Sequence, residues 1–479
     1  MTTEVDLDRV AGALLGMAAG DALGAGYEFT TPGPDVEIVM EGGGACGWAP
    51  GEWTDDTAQA VGIADVLATG RVDLEAIGQR FLDWYGGRPK DVGISTRAVL
   101  AAATGTADLP RRASAYFAQH PRGAAGNGSL MRTAPVALAR LGDDEGIAEL
   151  ARAVSHLTHG DPLAAEGCVL WCIAIDRAVR EGRLDGVHDG LAQLAPDRRP
   201  FWAERLVEAE TRPPSSFTRN GFVVTALQAA HAAITQTPVP ADQPCRHLQD
   251  ALVTAVRIGD DTDTVAAIAG QVLGARWGSS AVPWRWRRRL HGWDGYRADD
   301  LVRLAVLTAQ AGAVDAIGWP SAGSLMAHSK RYESAIWCNP LPADPDVLVG
   351  NHPGLEAALD EGVDAVISMC RIGREEVPAP VEHLTFRLID KAGAAHNANV
   401  EFVLDDAVDA LTTLRGEGKR VFLHCQGGRS RTAAVAAAYT ATMTGTPAED
   451  TLPELRQALP QGHLNVFGDI LRACYPGAD

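Results

Sequence analysis

Val421–Tyr439 reads VFLHCQGGRSRTAAVAAAY. A short apolar run gives way to a loop with two adjacent glycines, and then to an alanine-rich stretch. That succession predicts a strand, a tight loop and a helix. From Cys425 the loop follows the pattern C-x-x-G-x-x-R-T. A cysteine that merely closes a core strand is common, but such a role leaves Gly427, Gly428 and Arg431 unexplained. A phosphate cradle uses every position. Gly428 lets the backbone curl so that the N–H groups of Gln426, Gly427, Gly428, Arg429 and Ser430 can face one centre. Arg431 can hold two phosphoryl oxygens bidentately, and the helix that follows points its positive end at the same place. Nearby positive charge favours the Cys425 thiolate. Cys425 is then an in-line nucleophile, and Thr432 orients or stabilises the leaving thiolate.

Outward from the loop, short apolar runs alternate with helical ones: DVLVG, NHPGLEAALDEG, DAVISMC, HLTFRLID and a long helix from Asn399 to Arg415. Such alternation predicts a small α/β domain over 344–479. Before it, 318–343 is rich in Pro, Ser and Gly without periodicity, as a connection between domains would be. From Asp8 to about Ala313 the chain is Ala- and Leu-rich with helical periodicity and little strand alternation, so 1–317 is expected to be all-α. A multidomain chain fits the 479 residues, which exceed what one core sustains. WRWRRRLHGW, from Trp284, is expected to be an amphipathic helix that buries its tryptophans.

The net charge of −19 argues against nucleic acid or an anionic membrane as the partner. No apolar run approaches the ~18 residues of a membrane span, and no secretory pattern opens the chain. Eight cysteines without a CxxC pair predict neither a disulfide framework nor a zinc site, and place the protein in the cytoplasm.

Two acidic clusters stand out in the helical part. GEWTDDTAQA puts Thr54, Asp55 and Asp56 at the mouth of one helix, and IGDDTDTVAAIAG puts Asp260, Asp261, Asp263 and Thr264 at another. One or two such residues would simply cap a helix. Three or more repel one another unless a cation lies between them. Oxygen-only donors suit Mg²⁺ or Mn²⁺ rather than zinc. If the clusters converge, they could hold two ions roughly 3.5–4 Å apart for two-metal hydrolysis.

Val10–Arg276 resembles the ADP-ribosylglycohydrolase family, whose bacterial type member reactivates dinitrogenase reductase. The resemblance rests on GALLGMAAGDALGAGYEF, GGGACGWAPGEWTDDTAQA, GNGSLMRTAPVAL, SHLTHGDPLAAEGC and GDDTDTVAAIAGQVLGARWG, in family order. It implies that Thr54, Asp55, Asp56, Asp261, Asp263 and Thr264 bind two Mg²⁺ or Mn²⁺ ions, with Asp260 left as a cap or supporting group. The substrate implied is an ADP-ribosylated protein or a small ADP-ribose derivative, with Glu28 or Asp263 as general base. Asn127, Gly128 and Ser129 are expected to offer backbone N–H groups to the diphosphate, and His159 to touch substrate. Asp91, in DVGISTR, favours an arginine-linked substrate over a serine-linked one.

The cysteine loop resembles the signature of cysteine-dependent phosphatases, and roughly Asp344–Cys474 is similar to the dual-specificity branch. The resemblance implies that Asp390, in FRLIDKAGAAHNANVEFVLDDAVDAL, is the general acid. It leaves the phosphorylated substrate open. The alternative is a C-terminal domain that only binds phosphorylated partners.

Overall fold

The computed structural model describes residues 5–314 and 335–477, which fall into two compact units. The first is helical. Helices α1 (Leu7–Gly24), α2 (Asp55–Leu67) and α4 (Thr262–Trp277) are nearly buried throughout, which explains why they show no solvent-facing polar stripe, whereas α3 (Pro162–Glu181) is buried along its middle and exposed at both ends. Helices α1 and α4 meet backbone to backbone. A Cβ placed on Gly12, Gly16 or Gly20 would lie 2.1, 2.5 or 2.1 Å from the carbonyl oxygen of Gly274, Gly270 or Ala266. Glycine at every fourth residue of α1 therefore forms a flat stripe that only a side-chain-free helix face can supply. The contact continues to Gly24, whose added Cβ would lie 2.5 Å from Asp263 Cα. Close packing thus delivers α4's acidic mouth to the end of α1.

The stretch from Trp284 departs from the expected amphipathic helix. Helix is confined to Trp284–Arg287, and a small hairpin follows, pairing His291–Gly292 with Tyr296–Arg297. Trp284 is buried, whereas Trp286 and Trp293 are half-buried. Gly295 has φ of 84°, the left-handed conformation a tight hairpin turn requires and a continuing helix does not accept.

The second unit is α/β. Strands β1 (Cys338–Leu341), β2 (Asp344–Asn351), β3 (Ala365–Ser368), β4 (Glu382–Thr385) and β5 (Val421–Cys425) form one sheet in the order β1-β2-β5-β3-β4. Only β1–β2 is antiparallel. The alternation of β5 splits the core. Val421 and Leu423 join the cluster formed with α5 (Val400–Gly416) and α6 (Arg431–Thr444), and Phe422 joins a smaller one with Leu355 and Ala358. Burial on both faces is what a central parallel strand requires. The sheet begins earlier than expected, because β1 lies inside the stretch read as a connection. Of that stretch, 318–334 lies outside the described residues.

Candidate functional site

The two acidic segments converge. Thr54 precedes α2 and does two jobs: its hydroxyl oxygen accepts from Asp56 N at 3.4 Å and its hydroxyl donates to Asp56 Oδ2 at 3.1 Å. From α4, Thr264 Oγ1 donates to the same Asp56 Oδ2 at 3.3 Å. Asp261 stands at the N-cap of α4 but makes no side-chain capping bond; its Oδ2 accepts instead from Asn127 Nδ2 at 2.7 Å. Capping therefore does not account for this carboxylate.

Two groups of carboxylates each bring one oxygen within 4.8 Å of the others: Asp21, Asp56 and Asp263, and Glu28, Asp261 and Asp263. Asp263 belongs to both. Asp56 Oδ1 is buried without a hydrogen-bond partner, and an orphaned carboxylate oxygen in a protein interior needs a cation or a proton. Burial and the neighbouring acids push the carboxyls up. Glu28 reaches about 8, through burial first and then Asp261, Asp91 and Asp21. Burial raises Asp55, Asp56 and Asp263 well above the usual carboxylate range, with Asp91 acting next on Asp55, Asp21 on Asp56 and Asp261 on Asp263. A divalent cation relieves this crowding, and the all-oxygen donor set fits a hard one.

Asp21 is absent from the sequence reading. It is completely buried and accepts from Thr54 N at 2.9 Å, Thr57 N at 3.0 Å and Thr57 Oγ1 at 2.7 Å, while burial raises it to about 6. Its signal was an acid in the apolar second half of α1, far from the Asp8 and Arg9 of the first turn. A second overlooked set is Gln59 and Arg132. Gln59 Nε2 donates to Asp55 Oδ2 at 3.1 Å, and its carbonyl accepts from Arg132. Arg132, fully buried over the Phe81 ring, also donates to Thr158 Oγ1 at 2.7 Å. Thr158 Oγ1 lies 2.8 Å from His159 Nδ1. This chain fixes the Asp55 carboxylate and the His159 ring together. Burial, and secondarily the Arg132 charge, keep His159 neutral by lowering it to about 3.

Asp260 lies outside the cluster, exposed with φ of 62°. Phe29 N donates to Asp260 O at 2.7 Å, and Asp260 N to Thr30 O at 3.0 Å. These bonds pin the Glu28 loop beside Asp261. Asp91 is half-buried, and its charge raises Glu28, Asp55 and Asp261. Gly128 sits against His159: an added Cβ would lie 3.1 Å from the ring. One expectation is corrected here. The Asn127 N–H is consumed by Gly221 O at 3.1 Å, and its side chain holds Asp261, so Asn127 supports the acidic centre rather than offering its backbone to a ligand. The Ser129 hydroxyl oxygen accepts from Ser155 Oγ at 2.9 Å.

In the second unit Cys425 ends β5, the middle strand, where parallel sheets place their ligands. Gly428 has φ of 59°, and an added Cβ would lie 2.9 Å from Gly350 O. Arg431 is buried beneath the loop, with one terminal nitrogen donating to Met369 O at 2.9 Å and Leu388 O at 3.2 Å. Its Nε is buried without a partner, as are both polar atoms of the Gln426 amide. Ser430 makes no capping bond to α6; its hydroxyl donates to Asp390 instead, bringing that exposed acid to the loop. Thr432 Oγ1 donates to Gly350 O at 3.3 Å. Arg429 O accepts from His463 N at 3.1 Å, and Gln426 O from His352 N at 3.3 Å, so the loop is braced from two sides. An uncapped helix start, a buried arginine with an orphaned nitrogen and a cysteine at one strand end form an anion-shaped arrangement.

A helical frame around two carboxylate groups that share Asp263 is an arrangement that could hold divalent cations. The model of the ADP-ribosylglycohydrolase family matches residues 2–315, and the chain belongs to that family. An ADP-ribosylarginine hydrolase of Pseudomonas putida is 32% identical over 298 residues, 60% of this chain and 75% of that protein. The ADP-ribosyl-[dinitrogen reductase] glycohydrolase of Rhodospirillum rubrum is 29% identical over 293 residues, 59% of this chain and 90% of that protein. A solved structure of Tk-PTP in its active form covers 28% of this chain and 95% of its own, with 21% identity and a TM-score of 0.23, a likeness too slight to bear on the second unit. Among the described residues no helix is long and apolar enough to cross a membrane.

Proposed function

We propose that the chain is a bifunctional hydrolase. Its first unit removes ADP-ribose from modified arginine side chains, and its second hydrolyses phosphate monoesters. The observation that carries the first reading is the pair of carboxylate groups sharing Asp263, with the buried Asp56 Oδ1 unpaired. Thr54, Asp55, Asp56, Asp261, Asp263 and Thr264, with Asp21 supporting, would hold two Mg²⁺ or Mn²⁺ ions. Bound there, such ions supply Lewis acidity for a water and a grip on the ribose hydroxyls. Asp263 is shared by both groups, which leaves Glu28 the better placed to take the proton from the attacking water. The bond from the anomeric carbon to the guanidine nitrogen breaks as the bond to the water oxygen forms, and the freed guanidine gains a proton. The surrounding carboxylates favour the positive charge that develops on the sugar. Asp91 is an anionic partner for the arginine end. The P. putida and R. rubrum relatives, whose names specify arginine and protein linkage, support this substrate class.

For the second unit the support is the orphaned Arg431 Nε and Gln426 amide around Cys425. The Cys425 thiolate displaces the alkoxide or phenoxide from phosphorus, and Asp390 supplies the leaving group's proton. Water then cleaves the phosphocysteine and restores the thiol. The proximity of Asp390 to the loop through Ser430 favours turnover over a module that only binds phosphorylated partners.

Incubation with arginine- and serine-ADP-ribosylated peptides, in Mg²⁺, Mn²⁺ or chelator, tests the first reading; hydrolysis of p-nitrophenyl phosphate tests the second. Metal-dependent release of ADP-ribose and a chelator-insensitive release of nitrophenol are expected. Failure of either ends that half of the proposal.

A further inference from the structure

His188, Glu210 and His231 bring metal-ligating atoms to one point, and none of them belongs to either site above. They come from three elements: the 3₁₀ turn Gly186–Gln193, the helix Arg199–Thr211 and the helix Val223–Gln236. His188 Nε2 lies 2.6 Å and His231 Nε2 3.1 Å from the same oxygen, Glu210 Oε1. One ligand atom from each residue lies within 4.8 Å of the other two. The imidazole planes cross at 73°, with centroids 6.1 Å apart, so the two nitrogens approach the carboxylate from different directions. His231 is buried, His188 half-buried and Glu210 exposed. The inner wall is therefore rigid, while the outer side is open to water.

We infer that these three residues form a structural site for a Zn²⁺-class ion, distinct from the oxygen-only acidic centre. Two imidazoles and a carboxylate are borderline donors that select such ions over Mg²⁺. A tetrahedral ion about 2.0–2.1 Å from each ligand sets the ligand atoms about 3.3 Å apart. The His231–Glu210 separation is already close to that value. The His188–Glu210 separation must open by ~0.7 Å, a movement the exposed Glu210 side chain and the half-buried His188 can make. Water at the open side completes the coordination.

Such an ion would tie the 3₁₀ turn to two helices that Gln228 and Gln236 already link, through Gln228 Nε2 to Arg205 O at 2.9 Å and Gln236 Nε2 to Ala209 O at 2.7 Å. One of them bears on the first unit's centre: the helix Val223–Gln236 starts where Val223 N donates to Ala125 O at 3.0 Å and Gly221 O accepts from Asn127 N. Its ordering is thus transmitted to the turn that holds Asp261.

The test uses the full chain in saturating Mg²⁺, titrated with Zn²⁺ by calorimetry and followed by Tm, beside His188→Ala and Glu210→Gln. Both substitutions are at accessible positions, and Glu210→Gln keeps a hydrogen-bond acceptor while removing the anionic ligand. The parent should bind one more equivalent of Zn²⁺ than either variant, with a Zn²⁺-dependent rise in Tm that the variants lack. With Co²⁺ as probe, the parent should show the intense visible bands of four-coordination, and both variants should lose them. Equal Zn²⁺ stoichiometry and equal Co²⁺ spectra in all three proteins would leave only a hydrogen-bonded trio and overturn the site.

Discussion

Thr264 Oγ1 donates to Asp56 Oδ2 at 3.3 Å across 208 residues of chain. That contact joins two acidic clusters whose convergence the sequence left open. Both clusters belong to the first compact unit and the cysteine loop to the second, so their roles are separable. Asp56→Ala and Asp263→Ala should therefore each reduce ADP-ribosyl hydrolysis by at least ~100-fold, more than the loss of a group that merely supports a metal ligand. Hydrolysis of p-nitrophenyl phosphate by the same proteins should stay near the parent rate. Parallel loss of both activities would mean unfolding or a shared site.

Removal of the cation should expose a pH dependence of stability that bound cations suppress. Burial and like charge raise Glu28 from 4.5 to about 8, and burial raises Asp21 from 3.8 to about 6. Groups raised on folding contribute stability that is full below the unfolded values and lost as pH climbs through the folded ones. In chelator, Tm should fall between about pH 4.5 and 8. Saturating Mg²⁺ or Mn²⁺ should flatten that fall, because bound cations favour the ionised carboxylates. A Tm profile that is the same with and without cation would remove the metal centre.

The helix contact makes a prediction of its own. An alanine at Gly20 would drive a methyl to 2.1 Å from Ala266 O, where the obstacle is backbone and cannot rotate away. Gly20→Ala should destabilise the first unit by about 1–3 kcal/mol, as overpacking does, and weaken cation binding by moving Asp21 from Asp263. Gly86→Ala, where an added Cβ meets nothing within 4 Å, is the control. Thermal unfolding together with Mn²⁺ titration checks both.

What the sequence made legible follows from how local each signal is. The acidic clusters and the cysteine loop each lie within about ten consecutive residues, so their chemistry is visible before folding. Asp21 was not, because its partner Thr54 is 33 residues away and the other polar residues of its helix, Asp8 and Arg9, lie more than three turns off in the first turn. Arg132 failed for a similar reason: its route to Asp55 runs through Gln59, 73 residues distant. Strand β1 escaped because an edge strand with Pro340 and a register shift at Pro340/Leu341 has no alternation to read. The WRWRRR stretch misled in the opposite direction, since its helix-like spacing ends at a hairpin.

Substrate choice should depend on Asp91, whose charge reaches Glu28, Asp55 and Asp261. The parent should cleave arginine-linked ADP-ribose with higher kcat/KM than serine-linked. Asp91→Ala should narrow that ratio by lowering the arginine value by about tenfold, the scale of one partly exposed charge pair worth ~1 kcal/mol or slightly more. Faster cleavage of the serine linkage by the parent would show that Asp91 does not read the guanidinium.

The cysteine loop can be dissected into binding and chemistry. Arg431 is buried beneath the loop with Nε unpaired, and the start of α6 lacks a side-chain cap. Both features bind an oxyanion whether or not the nucleophile is present. Cys425→Ser should accordingly keep its affinity for inorganic phosphate within a few-fold, yet lose p-nitrophenyl phosphate turnover by on the order of 10³-fold or more, since a hydroxyl is scarcely ionised at neutral pH. Arg431→Lys should lose both, because an ammonium cannot span two phosphoryl oxygens or replace the bonds to Met369 O and Leu388 O. Asp390→Asn should slow turnover by about 10²-fold for poor leaving groups, and less for p-nitrophenol, which needs no proton to depart. If Cys425→Ser retains turnover, or if Arg431→Lys binds phosphate like the parent, the loop is not a phosphatase centre and the second unit needs another reading.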